Sequence, residues 1–181
     1  MKHPISRRNV LKLGLLAVAS PLPAFAGKNL PAGERRLGFN NLHTGEQFDL
    51  PYWIEGDYVP ESLAAINHLL RDHRTDQVAA IDTGLLDLLH RVNSALGASQ
   101  PFQVISGYRS PASNQVLADN SSGVAKHSLH MEGKAIDIRI PGIQLADLRQ
   151  AGLLLQGGGV GYYPDSNFVH LDVGRVRTWG A

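Results

Sequence analysis

Lys134-Ala135-Ile136-Asp137-Ile138-Arg139-Ile140 alternates in strict period two: Ile136, Ile138 and Ile140 share one face, and Ala135, Asp137 and Arg139 share the other. The spacing predicts a half-buried strand with a carboxylate on its polar side. Phe168-Val169-His170-Leu171-Asp172-Val173 repeats the pattern, with Val169, Leu171 and Val173 on one face and Phe168, His170 and Asp172 on the other. Strands of this kind need helices to cover their apolar faces. The expected fold is therefore one α+β domain, with helices packed on a central, mostly antiparallel sheet whose polar edge carries the chemistry.

The flanking sequence supplies those elements. Upstream, Phe102, Val104 and Ile105 suggest a strand ending at Ser106-Gly107, followed by Tyr108-Arg109-Ser110-Pro111 and a short helix over 112–117. Between the two alternating strands, residues 143–155 read as a helix with Leu145, Leu148 and Leu155 as apolar positions, ending at Gly157-Gly158-Gly159. A further strand is expected over 160–163. The glycine run fits neither G-x-G-x-x-G nor the P-loop pattern, so it is not read as a phosphate site. Farther upstream, Pro60-Glu61 opens a helical stretch with Leu63, Ile66, Leu69 and Leu70 at helical spacing. Asp82-Thr83 caps a second, carrying Leu85, Leu86, Leu88, Leu89 and Val92. His73 and His90 belong to these helical stretches and read as packed or surface imidazoles. Residues 27–58 read as extended segments and turns, and residues 59–181 as the rest of the same single domain.

Composition excludes several classes. The 181-residue chain is 43% hydrophobic and has no cysteine, which removes thiol nucleophiles, cysteine zinc sites and iron–sulfur clusters. Its net charge of +1 is an average over two unlike parts. Residues 1–26 hold Lys2, Arg7, Arg8 and Lys12 and no acid, leaving 13 cations against 16 acids afterwards. A remainder of −3 does not bind a polyanion by bulk charge, so no nucleic-acid partner is expected. Ser6-Arg7-Arg8-Asn9-Val10-Leu11-Lys12, an apolar run over 13–19 and Ala24-Phe25-Ala26 have the layout of a removable twin-arginine export signal. The apolar run is far shorter than the roughly 20 residues that cross a bilayer. The expected product is exported to the periplasm without a membrane span, and acts as a monomer.

The chemistry concentrates in Ser128-Leu129-His130-Met131-Glu132-Gly133-Lys134-Ala135-Ile136-Asp137. It places an imidazole in a loop and a carboxylate seven residues later on an apolar strand, where desolvation demands a cation or hydrogen-bond donors. With His170 on the second strand, two imidazoles and one carboxylate would hold a zinc ion and leave its fourth position open, as in a catalytic site. From spacing alone, a buried ion pair beside a satisfied core histidine remains an alternative.

Ser128-x-His130-x-x-Gly133-x-Ala135-x-Asp137 resembles the S-x-H-x-x-G-x-A-x-D signature of the zinc D,D-peptidases, the family related to D-Ala-D-Ala carboxypeptidases, dipeptidases and the hedgehog signalling domain. Ser106-Gly107-Tyr108-Arg109-Ser110 is similar to that family's upstream S-G-Y-R-S segment, and Val169-His170 to its later ligand strand. The twin-arginine leader, Asn41-Leu42-His43-Thr44-Gly45-Glu46, the Gly-Val-Gly-Tyr-Tyr-Pro turn and an Arg-x-Trp-like tail resemble the YcbK/MepK-type murein endopeptidases within it. The resemblance spans essentially the whole chain.

It implies that His130, Asp137 and His170 bind one zinc ion, and that Arg109 stabilises the oxyanion on the scissile carbonyl or holds a substrate carboxylate. It also implies hydrolysis of peptide cross-links in peptidoglycan by metal-activated water, with peptide stems as substrate. A proton acceptor is needed as well. Several relatives carry Glu or His shortly before the last ligand, where this chain has Asn167. Asp172 is the expected base, about 6–7 Å along the strand from His170, with a histidine-orienting carboxylate as its other reading and Asp165 as second candidate. His127 is expected to flank the loop, and Glu132 to face solvent. Tyr162, Tyr163 and Trp179 are candidates for lining a peptide groove. The alternative functions are a D-Ala carboxypeptidase of the same fold and a non-catalytic zinc module that binds cell-wall peptide or a partner.

Overall fold

The computed structural model describes residues 33–120 and 125–180; the export signal read at 1–26 lies outside them. The chain enters as a hairpin of β1 (Glu34–Asn41) and β2 (Gln47–Ile54), to which the short β3 (Asp57–Tyr58) adds. The segment anticipated only as extended thus supplies three strands to the main sheet. Pro60, whose missing N–H costs nothing in a first turn, opens α1 (Pro60–Leu69). Asp82 caps α2 (Thr83–Leu96) by accepting the Gly84 N–H, and Gly97 closes it in the left-handed region. Then come β4 (Phe102–Ser106), α3 (Pro111–Asn120), a single 3-10 turn at Leu129–Glu132, β5 (Ala135–Arg139), α4 (Leu145–Leu155), β6 (Gly159–Tyr163), β7 (Phe168–Asp172) and β8 (Arg177–Trp179).

The eight strands form one sheet in the order β3-β2-β1-β4-β5-β7-β6-β8. Only β1 with β4 and β6 with β8 run parallel. This is the expected α+β architecture with a mostly antiparallel sheet. Ile136 and Ile138 of β5 and Val169 and Leu171 of β7 join Phe39, Ile66, Leu85, Leu89 and Leu148 in one core. Among the described residues, no helix is long and apolar enough to cross a membrane.

Two expectations are corrected. The site was placed at a polar edge of the sheet, but β5 and β7 are neighbouring interior strands. The edge beyond β6 is β8, whose three residues are too few to show a period. Further, β5 is not half-buried: Ala135 and Asp137 are buried as well as Ile136 and Ile138. The polar side of this strand is covered by side chains that meet Asp137.

Candidate metal centre

Asp137 on β5 and His170 on β7 are direct cross-strand partners, so the sheet itself sets them side by side. His130 arrives from the 3-10 turn that precedes β5. Ser128 caps that turn, accepting the His130 N–H at 3.4 Å. Gly133 ends it at φ +66°, and a Cβ there would run into the Ala80 carbonyl oxygen, so only glycine lets the turn lie this close to the α2 approach. The Gly133 carbonyl also accepts the Asp82 N–H at 3.0 Å. The glycine of the motif is therefore a packing requirement that aims His130.

The side chains converge. His130 Nε2 lies 3.2 Å from His170 Nδ1 and 3.3 Å from Asp137 Oδ1, and His170 Nδ1 lies 2.9 Å from that same oxygen. The outer ring nitrogens are occupied. His130 Nδ1 is 2.7 Å from the Gly107 carbonyl, which only accepts, so this nitrogen carries the hydrogen. His170 Nε2 lies 3.0 Å from Asp172 Oδ2 and donates to it. In neutral imidazoles both inner nitrogens are consequently bare lone pairs facing one another and a carboxylate. Such a donor set calls for a cation in its midst, and its composition suits zinc with a position left open.

Without a metal ion the same cluster draws in a proton instead. Burial disfavours a charged His170, but Asp137 and Asp172 outweigh it and push the imidazole up to about 9. Burial likewise opposes ionisation of Asp137, and the two histidines overcome it, holding that carboxyl well below the usual range.

Asp172, the expected base, does not line the cleft. It is fully enclosed (0% exposed). Its oxygens accept the Gly159 and Gly174 N–H groups, each at 2.9 Å, and a forked pair from Arg177 at 3.0 and 2.7 Å. Period two did put Asp172 on the His170 face, but β7 ends there and β8 folds Arg177 over it. The carboxylate sits behind His170, at the ring nitrogen opposite the one that meets Asp137. Asp165 is exposed in the β6–β7 turn and does not line the cleft, and Glu132 pairs with Lys134 at the surface (2.8 Å).

Arg109 follows β4 and is 9% exposed. Its Nη2 stands 3.6 Å from Asp137 Oδ2, and its other contacts are long ones to Ser106 and Asn114. Burial lowers the proton affinity of the guanidinium and Asp137 opposes that effect; Arg stays charged. Backbone bonds bracket this residue: Tyr108 N–H donates to Leu70, Arg109 N–H to His130 and Ser110 N–H to Asp72. Gly107 allows the approach, since a Cβ there would stand 2.5 Å from the Leu70 oxygen.

The three candidate ligands and Arg109 open onto a cleft of about 500 Å³, bordered also by His127, Tyr163 and Trp179. Tyr162, the third aromatic candidate, turns away toward Arg149. Sequence reading passed over Asp72 and Arg177. Asp72 sits in Arg71-Asp72-His73-Arg74, read as a continuation of the helical stretch to His73, whereas α1 ends at Leu69 and leaves this run as a turn where nothing local marks a buried carboxylate. Arg177, five residues past Asp172 and across Gly174, was legible only as a turn-crossing partner for an acid on an apolar strand.

A family model described as peptidoglycan L,D-endopeptidase MepK matches residues 30–179. The peptidoglycan L,D-endopeptidase MepK of Escherichia coli K12 is 46% identical over 181 residues, covering 98% of this chain and 99% of that protein. The relative from Shigella flexneri matches to the same extent. The probable peptidoglycan L,D-endopeptidase MepK of Haemophilus influenzae is 40% identical over 178 residues, 96% of this chain and 95% of its own.

Proposed function

The chain belongs to the peptidoglycan L,D-endopeptidase MepK family, and from that premise we propose that it hydrolyses L,D peptide bonds in peptidoglycan cross-links as a zinc enzyme. The observation that carries the zinc assignment is the convergence of one ring nitrogen from each of His130 and His170 on the Asp137 carboxylate, their other nitrogens already taken by Gly107 and Asp172. His130, Asp137 and His170 would hold the ion, and Asp172 would orient His170 for it. Bound zinc lowers the pKa of its water to about 7 and polarises a carbonyl.

The rest falls to the protein's own groups. Arg109 presents a charge partly neutralised by Asp137 to the cleft, where negative charge develops on the scissile carbonyl oxygen. The water oxygen adds to the carbonyl carbon, the C–N bond breaks, and the departing amine takes a proton. Among the described cleft residues no carboxylate is free to carry that proton, and His127 is the imidazole outside the triad. We assign the transfer to His127. The L,D bond type points to 3→3 cross-links, which join the L-centre carbonyl of one diaminopimelate to the amine on the D-centre of the next; a 4→3 link joins D-Ala instead. The paired-arginine leader supports export to the periplasm by the twin-arginine route, where such a substrate lies.

Mass spectrometry of purified 3→3 muropeptide dimers incubated with the zinc-loaded chain tests this function. Release of monomers, abolished by chelator and by His170→Ala, is expected. Binding without cleavage would indicate the non-catalytic module, and release of terminal D-Ala alone the carboxypeptidase.

A further inference from the structure

On β6, Gly161 pairs with His170 and Tyr163 with Phe168 of β7, which puts Gly161 and Tyr163 on the face that carries the metal centre. Gly161 has a reason to lack a side chain: a Cβ there would stand 2.7 Å from the Trp179 ring. Trp179 therefore lies across the glycine, its ring centroid 5.1 Å from that of His170 and 4.7 Å from the Arg177 guanidinium carbon. From that position its indole N–H donates to the Tyr163 hydroxyl oxygen at 2.8 Å. The Tyr163 ring is itself held by stacking on Phe168, with centroids 4.6 Å apart and planes at 22°.

This arrangement leaves one hydrogen over. An indole only donates, so the hydroxyl oxygen of Tyr163 is the acceptor, and its own O–H must point elsewhere. No group among the described residues accepts it. Tyr163 borders the same cleft as Arg109 and the candidate ligands. A hydroxyl positioned by Trp179 on the wall of a cleft where a carbonyl is to become an oxyanion is placed to exchange its water partner for that oxygen.

We propose that Tyr163 is a catalytic residue whose hydroxyl, held by Trp179, donates a hydrogen bond to the scissile carbonyl oxygen as it becomes negative, sharing that charge with Arg109. The proposal rests on the hydrolase reading above. On this reading Trp179 acts through Tyr163 and is a positioning residue.

The test compares the full-length zinc-loaded chain with Tyr163→Phe and Trp179→Phe. Three quantities are measured: kcat and KM on 3→3 dimers, zinc stoichiometry, and the dissociation constant of a phosphinate pseudodipeptide whose tetrahedral oxygens mimic the transition state. Tyr163→Phe keeps the ring and its stack. It is expected to lower kcat about 100-fold with KM nearly unchanged, to weaken phosphinate binding by a matching factor, and to leave zinc content intact. Trp179→Phe keeps the hydroxyl but frees it, and should show a smaller loss of the same kind. Tyr163→Phe within about twofold of wild type in both kcat and phosphinate affinity overturns the proposal. So does equal loss of zinc and activity in both variants, which marks a structural wall. If the wild-type chain cleaves no dimer, the hydrolase reading fails by itself, and the phosphinate comparison still decides for or against the Tyr163 donor.

Discussion

Asp172 and His170 stand two residues apart on one strand face, and the distinction between them is made by what lies beyond the strand. His170 turns one nitrogen toward Asp137 and the other to Asp172, while Asp172 spends its remaining capacity on Arg177 and two backbone N–H groups. An orienting carboxylate tunes its histidine and does not take a proton from water. Asp172→Asn is accordingly expected to weaken zinc binding about 10–100-fold while much of kcat returns at saturating zinc. Competition with a chromophoric chelator, run beside turnover, measures both; a base would give the reverse, lost turnover at unchanged zinc affinity. Removing Arg177 has a different effect, because it strips a fully buried carboxylate of its charged partner. Arg177→Ala should cost about 1–3 kcal/mol of stability by urea unfolding, since His170 and two backbone N–H groups still hold the carboxylate. The alternating pattern revealed that two polar groups share a face with a third on the neighbouring strand. Which of them sees the cleft depends on β8, and a three-residue strand leaves no periodic trace.

Two segments outside the sheet aim the site, and each depends on a close approach that local pattern hides. The 3-10 turn before β5 was readable only as a loop, yet Gly133 at φ +66° and the Ala80 carbonyl against it define where His130 stands. Gly133→Ala adds both a strained backbone and a collision with a carbonyl that cannot swing away. A loss of about 2–4 kcal/mol of unfolding free energy is expected, with zinc affinity falling as His130 shifts. On the other side, Asp72 (1% exposed) accepts the Ser110 N–H and so anchors the segment that carries Arg109. Burial opposes its ionisation, but hydrogen bonds from Ser110, Ser113 and the Arg74 backbone prevail and hold the carboxyl well below its ordinary 3.8. A native pKa below the unfolded one means that the unfolded chain binds the proton more readily. The stabilisation is complete above the unfolded value and drains away as pH falls beneath it. Asp72→Asn should therefore be less stable than wild type by about 2–3 kcal/mol at neutral pH, with the gap closing only below about pH 4. Urea titrations across pH 2–7 check the sign, since a gap that widened on acidification would contradict it. Helices and strands were legible because periodicity is a local property; these two anchors were not, because each joins residues distant in the chain.

Across the molecule, the three candidate ligands come from one turn and two interior strands, and they meet only once the sheet has its native register. A metal that needs all three binds the folded chain and not the unfolded one, so its binding energy becomes folding energy. Without it, the facing imidazoles and Asp137 form a buried charged cluster whose only internal remedy is a proton on His170. Free zinc at about 100 times its dissociation constant adds about 2.7 kcal/mol. For a domain of this size that raises Tm by roughly 5–10 °C. Scanning calorimetry of the chain with zinc and with chelator should show that shift, and His130→Ala and His170→Ala should each abolish it. Asp72→Asn supplies the contrast, because it anchors Arg109 and touches none of the three ligands. Its Tm should fall with and without metal, and the zinc-dependent increment should persist. An increment that survived in His170→Ala would place the stabilising metal elsewhere in the chain and remove the physical basis for this centre.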